Sequence, residues 1–147
     1  MIERVLIPTD FSPGSDRAVE YAVQHFPNAL KKLLHVSEAK DPIPPSDERI
    51  QDRLQLRVER EQWARNELVD LAQLFRVQVE QAQGEAAKAI VQHARKWQAQ
   101  LIVMGSHGIN DPQHPEPGQV AQAVMRKSRT PVLIVPNPHA GSEEVKP

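Results

Sequence analysis

Five short apolar runs, separated by stretches of helical periodicity, constrain the fold of this chain more than any other feature. The runs are Ile2 to Pro8 apart from Glu3 and Arg4, Leu33 to Val36, the short alternating pair Val77 and Val79, Leu101 to Met104, and Val132 to Val135. Short apolar runs bounded by turn formers are the signature of strands buried on both faces. Between the first two, Ser12 and Pro13 read as an N-cap with proline at the first helical position, followed by Ala18, Val19, Ala22, Val23 and Phe26 at helical spacing. A second helix is predicted over Asp47 to Phe75, with Ile50, Leu54, Leu68, Leu71 and Phe75 on an intermittent apolar face. Its Arg57, Glu61 and Arg65, at four-residue steps, predict a solvated, mutually paired surface. A third spans Ala86 to Trp97, with Ala89, Ile90, Ala94 and Trp97 turned to the core, and a fourth runs from about Gly118 to Ser128. Before the second helix, Pro42, Pro44 and Pro45 exclude regular structure. The order βαβαβαβαβ predicts a mainly parallel sheet covered by helices on both faces, because parallel strands require right-handed crossovers.

At 147 residues and 39% hydrophobic content the chain suffices for one domain with a core and is too short for two. A domain over 1–137 and a polar tail over 138–147 are expected. The net charge of -1, with both signs interspersed, provides no field to attract nucleic acid or an anionic membrane. The absence of cysteine excludes disulfides, thiolate metal sites and cysteine nucleophiles. The first residues, MIERVLIPTD, lack the pattern of a secretory leader, and no apolar run approaches the roughly 20 residues of a membrane span. A cytoplasmic protein without nucleic-acid or membrane partners is expected.

The stretch LIVMGSHGINDPQHPEPGQVAQAV, residues 101–124, carries the chemistry. Gly105 and Gly108 follow the fourth strand, as Asp10 follows the first. If those two strands are neighbours where strand order reverses, all three residues line one crevice. Gly118 opens a helix whose free N–H groups and positive dipole end suit an anion. Neither the G-x-x-x-x-G-K-[ST] loop nor G-x-G-x-x-G occurs. SPGSD, Ser12 to Asp16, departs from the S-G-G-x-D-S loop of adenylating enzymes at Pro13.

On these residues the sequence resembles the universal stress protein family over about residues 2–136. The family's G-x2-G-x9-G is present as Gly105, Gly108 and Gly118, and its PTD as Pro8, Thr9 and Asp10. LLHV and QGEAAKAIVQHA match a strand end and a glycine-led helix. The resemblance implies an open five-stranded α/β sheet in a three-layer, Rossmann-like sandwich of the adenine nucleotide alpha hydrolase-like kind. It also implies an adenine nucleotide, ATP, ADP or AMP, with or without magnesium. Pro8, Thr9 and Asp10 would lie beside ribose and adenine, and the Val36 backbone would address the adenine edge. Gly105, flanked by Met104 and Ser106, would cradle phosphates together with Gly108, Gly118, Gln119 and Val120. The resemblance further implies a homodimer along the last strand, Val132 to Val135, which would lie at the sheet edge.

Departures from the family pattern predict weaker binding or a preference for AMP. Gln119 stands where binders carry serine or threonine, and Ile109 where a basic residue is common. The intervening loop holds Asp111 and Glu116, with Pro112, Pro115 and Pro117 lacking N–H donors. Residues 109–117 are the segment expected to order on binding. His107 and His114 are expected at the surface rather than as metal ligands, although protonated imidazoles there would partly replace the missing basic residue. His25 and His35 read as structural or surface residues. No set of nucleophile, base and cation for phosphoryl transfer is present, so no enzyme is expected. Two alternatives are a nucleotide-independent interaction protein, acting with an unknown protein partner, and an adenylating or ATP-hydrolysing enzyme dependent on Asp10.

Overall fold

The computed structural model describes residues 1–38, 47–107 and 117–136, and of residues 47–53 the backbone alone. Its elements alternate along the chain: β1 (Arg4–Pro8), α1 (Pro13–His25), β2 (Leu30–Ser37), α2 (Asp47–Phe75), β3 (Gln78–Gln83), α3 (Ala86–Trp97), β4 (Leu101–Gly105), α4 (Gln119–Lys127) and β5 (Val132–Val135). The strands form one parallel sheet in the order β3-β2-β1-β4-β5. Two layers of helix cover it, which makes the architecture a Rossmann-like α/β sandwich.

Each central strand serves both layers, and this is why its sequence is apolar without alternation. Val5 and Ile7 face one side with Leu33 and Val103, against Ala18, Val19, Ala22 and Leu68 of α1 and α2. Leu6 faces the other with Leu34, Ile102 and Met104, against Ala87, Ile90, Ala94, Ala121 and Val124 of α3 and α4. No described helix is long and apolar enough to cross a membrane.

The helix boundaries follow local chemistry. Ser12 caps α1, its hydroxyl accepting the Ser15 N–H at 3.2 Å, with proline in the first turn. The αL conformation of Gln98 ends α3. On α3 Ile90 and Ala94 are buried and Trp97 packs beside them as expected, while Ala87 is buried where Ala89, half-buried, was expected.

Helix α2 differs more. Leu68 is buried and Leu71 and Phe75 pack beside it, but Leu54 is 47% exposed, because residues 54–63 do not bury themselves against the sheet. The expected charge pairing along α2 is also redirected. Arg65 Nε donates to Gln81 at 3.3 Å, and Gln83 donates to the Glu61 carboxylate at 2.7 Å, tying α2 to the glutamines of the edge strand β3. The prolines of residues 42–45 and the tail from 138 onward lie outside the described residues.

Candidate functional site

Strand order reverses between β1 and β4, which pair through Val5 with Leu101 and Leu6 with Ile102. Their carboxyl ends therefore diverge into helices on opposite faces, α1 on one and α4 on the other, and leave a crevice between them. Asp10, Gly105 and Gly118 are brought together at this end of the sheet. Gly108, Ile109, Asp111, Pro112, His114, Pro115 and Glu116 lie outside the described residues.

On the β1 side a short turn carries Asp10. Pro8 closes the strand, and the Thr9 N–H donates to the Leu34 carbonyl at 2.9 Å. The Thr9 side chain is buried, its hydroxyl 3.1 Å from Ser15 Oγ and accepting the Phe11 N–H at 3.1 Å. Asp10 is exposed; its Oδ1 accepts the Ser12 N–H at 3.0 Å and the Ser15 hydroxyl at 3.2 Å. Thr9, placed in the site by sequence, thus serves the turn through its side chain, while Asp10 is oriented by the start of α1 and faces outward. Asp16, one turn on, has its carboxyl raised above the usual range by burial and by the charges of Glu20, Asp10 and Glu67.

Val36 is placed by strand geometry. The Leu34 carbonyl faces β1, and backbone direction alternates along a strand, so Val36 presents its N–H and C=O to the same side two residues on. The ladder with β1 ends at Pro8 opposite Leu34, so these groups point past the end of β1 into the crevice.

On the β4 side the glycines separate by cause. A Cβ on Gly105 would stand 2.7 Å from the Gly14 carbonyl oxygen, and one on Gly14 would stand 2.6 Å from that of His107. Strand β4 and the first turn of α1 are in backbone contact, and both glycines are required by that contact. Gly14 is absent from the sequence-predicted site; its signal was a glycine inside a helical first turn, where propensity disfavours it. Among the described residues a Cβ on Gly118 would meet only ordinary contacts, the nearest Ser106 O at 3.6 Å, and its φ of -67° suits any residue. No described neighbour demands glycine at 118.

Ser106 closes the base of the loop. Its N–H donates to Val135 O at 3.1 Å and its carbonyl accepts the Gly118 N–H at 2.7 Å. Gly118 therefore contributes space to the crevice, and its N–H is engaged with Ser106. The Ser106 hydroxyl lies 2.6 Å from His107 Nδ1. His107 is buried, contrary to the surface position expected from its loop setting, because the chain turns beneath the start of α1. Met104 is likewise buried, in the core with α3 and α4, so only its backbone belongs to the site.

Helix α4 begins with exposed Gln119 and Val120 and has no side-chain cap from Gly118. Its first-turn N–H groups, those of Gln119, Val120 and Ala121, have no partner within the helix by geometry. The starts of α1 and α3, at the same end, are served from within the fold. Ser12 caps α1, and the Glu38 carboxylate accepts the Ala86 N–H of α3 at 2.6 Å. The crevice thus holds an exposed carboxylate, a strand backbone and a helix start, a set suited to a ribose, a base edge and a phosphate.

The Usp model, the universal stress protein family, matches residues 1–136. The chain is 31% identical over 150 residues to universal stress protein MJ0531 of Methanocaldococcus jannaschii, covering 94% of this chain and 84% of that protein. It is 31% identical over 137 residues to a universal stress protein of Thermus aquaticus, covering 92% and 99%. The solved structure of protein MJ0577 superposes with a TM-score of 0.75 at 27% identity, covering 92% of this chain and 96% of that one. A universal stress protein solved in complex with cAMP superposes at 0.61 and 27% identity, covering 92% and 98%.

Proposed function

Since this chain belongs to the universal stress protein family, we propose that it binds an adenine nucleotide in the β1–β4 crevice and acts as a regulatory protein without efficient catalysis. Asp10 accepts ribose hydroxyls, the Val36 backbone meets the adenine edge, and the α4 start receives the phosphate. The observation that carries this reading is Gly118, a glycine that no described neighbour requires, at a helix start that carries no side-chain cap. The cAMP complex of a structural relative supports the ligand class.

Charge selects among nucleotides. The named crevice residues include no Lys or Arg, and Asp10 lies on one wall, near enough to Asp16 for their charges to interact. A triphosphate meets like charge there, so AMP or a cyclic monophosphate is favoured over ATP, with or without magnesium. Melting curves of nucleotide-stripped protein test this. Ligand at about 100 times its dissociation constant stabilises by roughly 2.7 kcal/mol. A larger shift with ATP than with AMP contradicts the charge argument, and no shift with any adenine nucleotide contradicts the function.

A second reading has its own observation. The Thr9 and Ser106 side chains and the Gly118 N–H all make internal hydrogen bonds, and Gly105 is required by packing. A chain using its glycines only for turns would act through a protein partner. Absence of a shift would favour it.

A further inference from the structure

Phe11, the residue after Asp10, holds a φ of 64°. A bulky side chain adopts this left-handed conformation only where its surroundings impose it. Here they are specific. The Phe11 ring lies 4.6 Å from the His35 ring and meets Trp63 edge-on at 5.2 Å. His35 is tied back to the same turn, its Nδ1 3.0 Å from the Thr9 carbonyl. The turn that carries Asp10 is thereby joined to β2 and, through Trp63, to α2.

Trp63 stands at a boundary. From Ala64 onward α2 buries Ala64 and Leu68 against the sheet, whereas residues 54–63 are exposed apart from half-buried Arg57. A helical stretch of that length with so little packing depends for its order on what holds its end. The Phe11 contact lies at that end.

We propose that Phe11 couples the crevice to residues 54–63 of α2. In the seated state its ring lies between His35 and Trp63 and the turn presents Asp10; in the released state the left-handed strain relaxes and both ring contacts are lost. This rests on the adenine-nucleotide reading of the crevice. Ribose hydroxyls engage Asp10 in the seated turn, so occupancy shifts the population towards it, and loosening Trp63 weakens nucleotide binding by the same factor. Residues 54–63 are then steadier in the bound protein, a difference a partner can read.

Trp63 and Trp97 are the two tryptophans of the chain, and Trp97 packs on the opposite face of the sheet. The variant Trp97→Phe leaves Trp63 as the sole indole. AMP is titrated while its emission is followed, with calorimetry on the same samples and hydrogen exchange over residues 54–63 in the unaltered chain. The expected result is a saturable emission change with the calorimetric midpoint, and slower exchange on binding. Adding Phe11→Gly should abolish the emission change and keep the heat of binding, since glycine adopts a φ of 64° without strain. Heat of binding with emission and exchange both unchanged overturns the coupling and leaves the nucleotide function standing. No heat and no melting shift overturns both.

Discussion

At the scale of the residue, three glycines with one motif spacing have different causes. Gly105 is held by the backbone of Gly14, which cannot yield as a side chain would. Gly105→Ala should therefore destabilise the protein by about 2 kcal/mol, the usual cost of overpacking a rigid contact. Urea unfolding without nucleotide would check it. Gly118 is the reverse case. Gly118→Asp places a favoured N-cap residue on α4 and a carboxylate where the phosphate would sit, so the free protein should gain a few tenths of a kcal/mol while the nucleotide-induced melting shift disappears. A variant that keeps that shift would remove the α4 start from the site. The spacing was legible in the sequence, but the cause of each glycine was not, since a steric requirement belongs to a neighbour as distant in sequence as Gly14 is from Gly105.

At the scale of the element, the starts of α1, α3 and α4 and their surroundings determine local stability. The Glu38 carboxylate reaches from the end of β2 to the first N–H of α3. Glu38→Ala should cost about 1 kcal/mol, typical of a lost cap, by chemical denaturation. At its other end α3 contributes His93, whose Nδ1 lies 2.8 Å from Glu80 and whose Nε2 lies 3.3 Å from the Lys32 ammonium, itself 4.6 Å above the Trp97 ring. Burial holds this imidazole below its ordinary value; Glu80 opposes the shift, and Lys32 and Lys96 add to it. The fold thus favours neutral His93, donating to Glu80 and accepting from Lys32. As pH falls below about 6.5 the unfolded chain takes up a proton that the folded state resists, so stability declines until the folded imidazole titrates. Urea midpoints from pH 7 to pH 5 should fall less steeply in His93→Gln, which keeps one donor and one acceptor. An unchanged slope would show that His93 has no part in the decline.

At the scale of the molecule, β5 is an edge strand whose four residues are all half-buried, with Leu133 and Val135 towards one layer and Val132 and Ile134 towards the other. An apolar edge of this kind pairs or is protected. Light scattering at micromolar concentration should give a homodimer, and Ile134→Lys should give a monomer that keeps its far-ultraviolet circular dichroism. A wild-type monomer would rule out this pairing.

The elements and their alternation are legible in the sequence, because period, capping residues and turn formers act within a few positions. The sequence placed α3 and β5 at the boundaries the structure has, Ser12 as the cap of α1 and Gly118 at the start of α4. Tertiary structure alone decided that β1 lies beside β4, which turns separated motifs into one crevice. It also decided that Leu54 is exposed, that His107 is buried and that Gly14 is as necessary as Gly105. Each of those depends on which backbone comes to rest against which, and residues so far apart in sequence meet only when the sheet closes in the order β3-β2-β1-β4-β5.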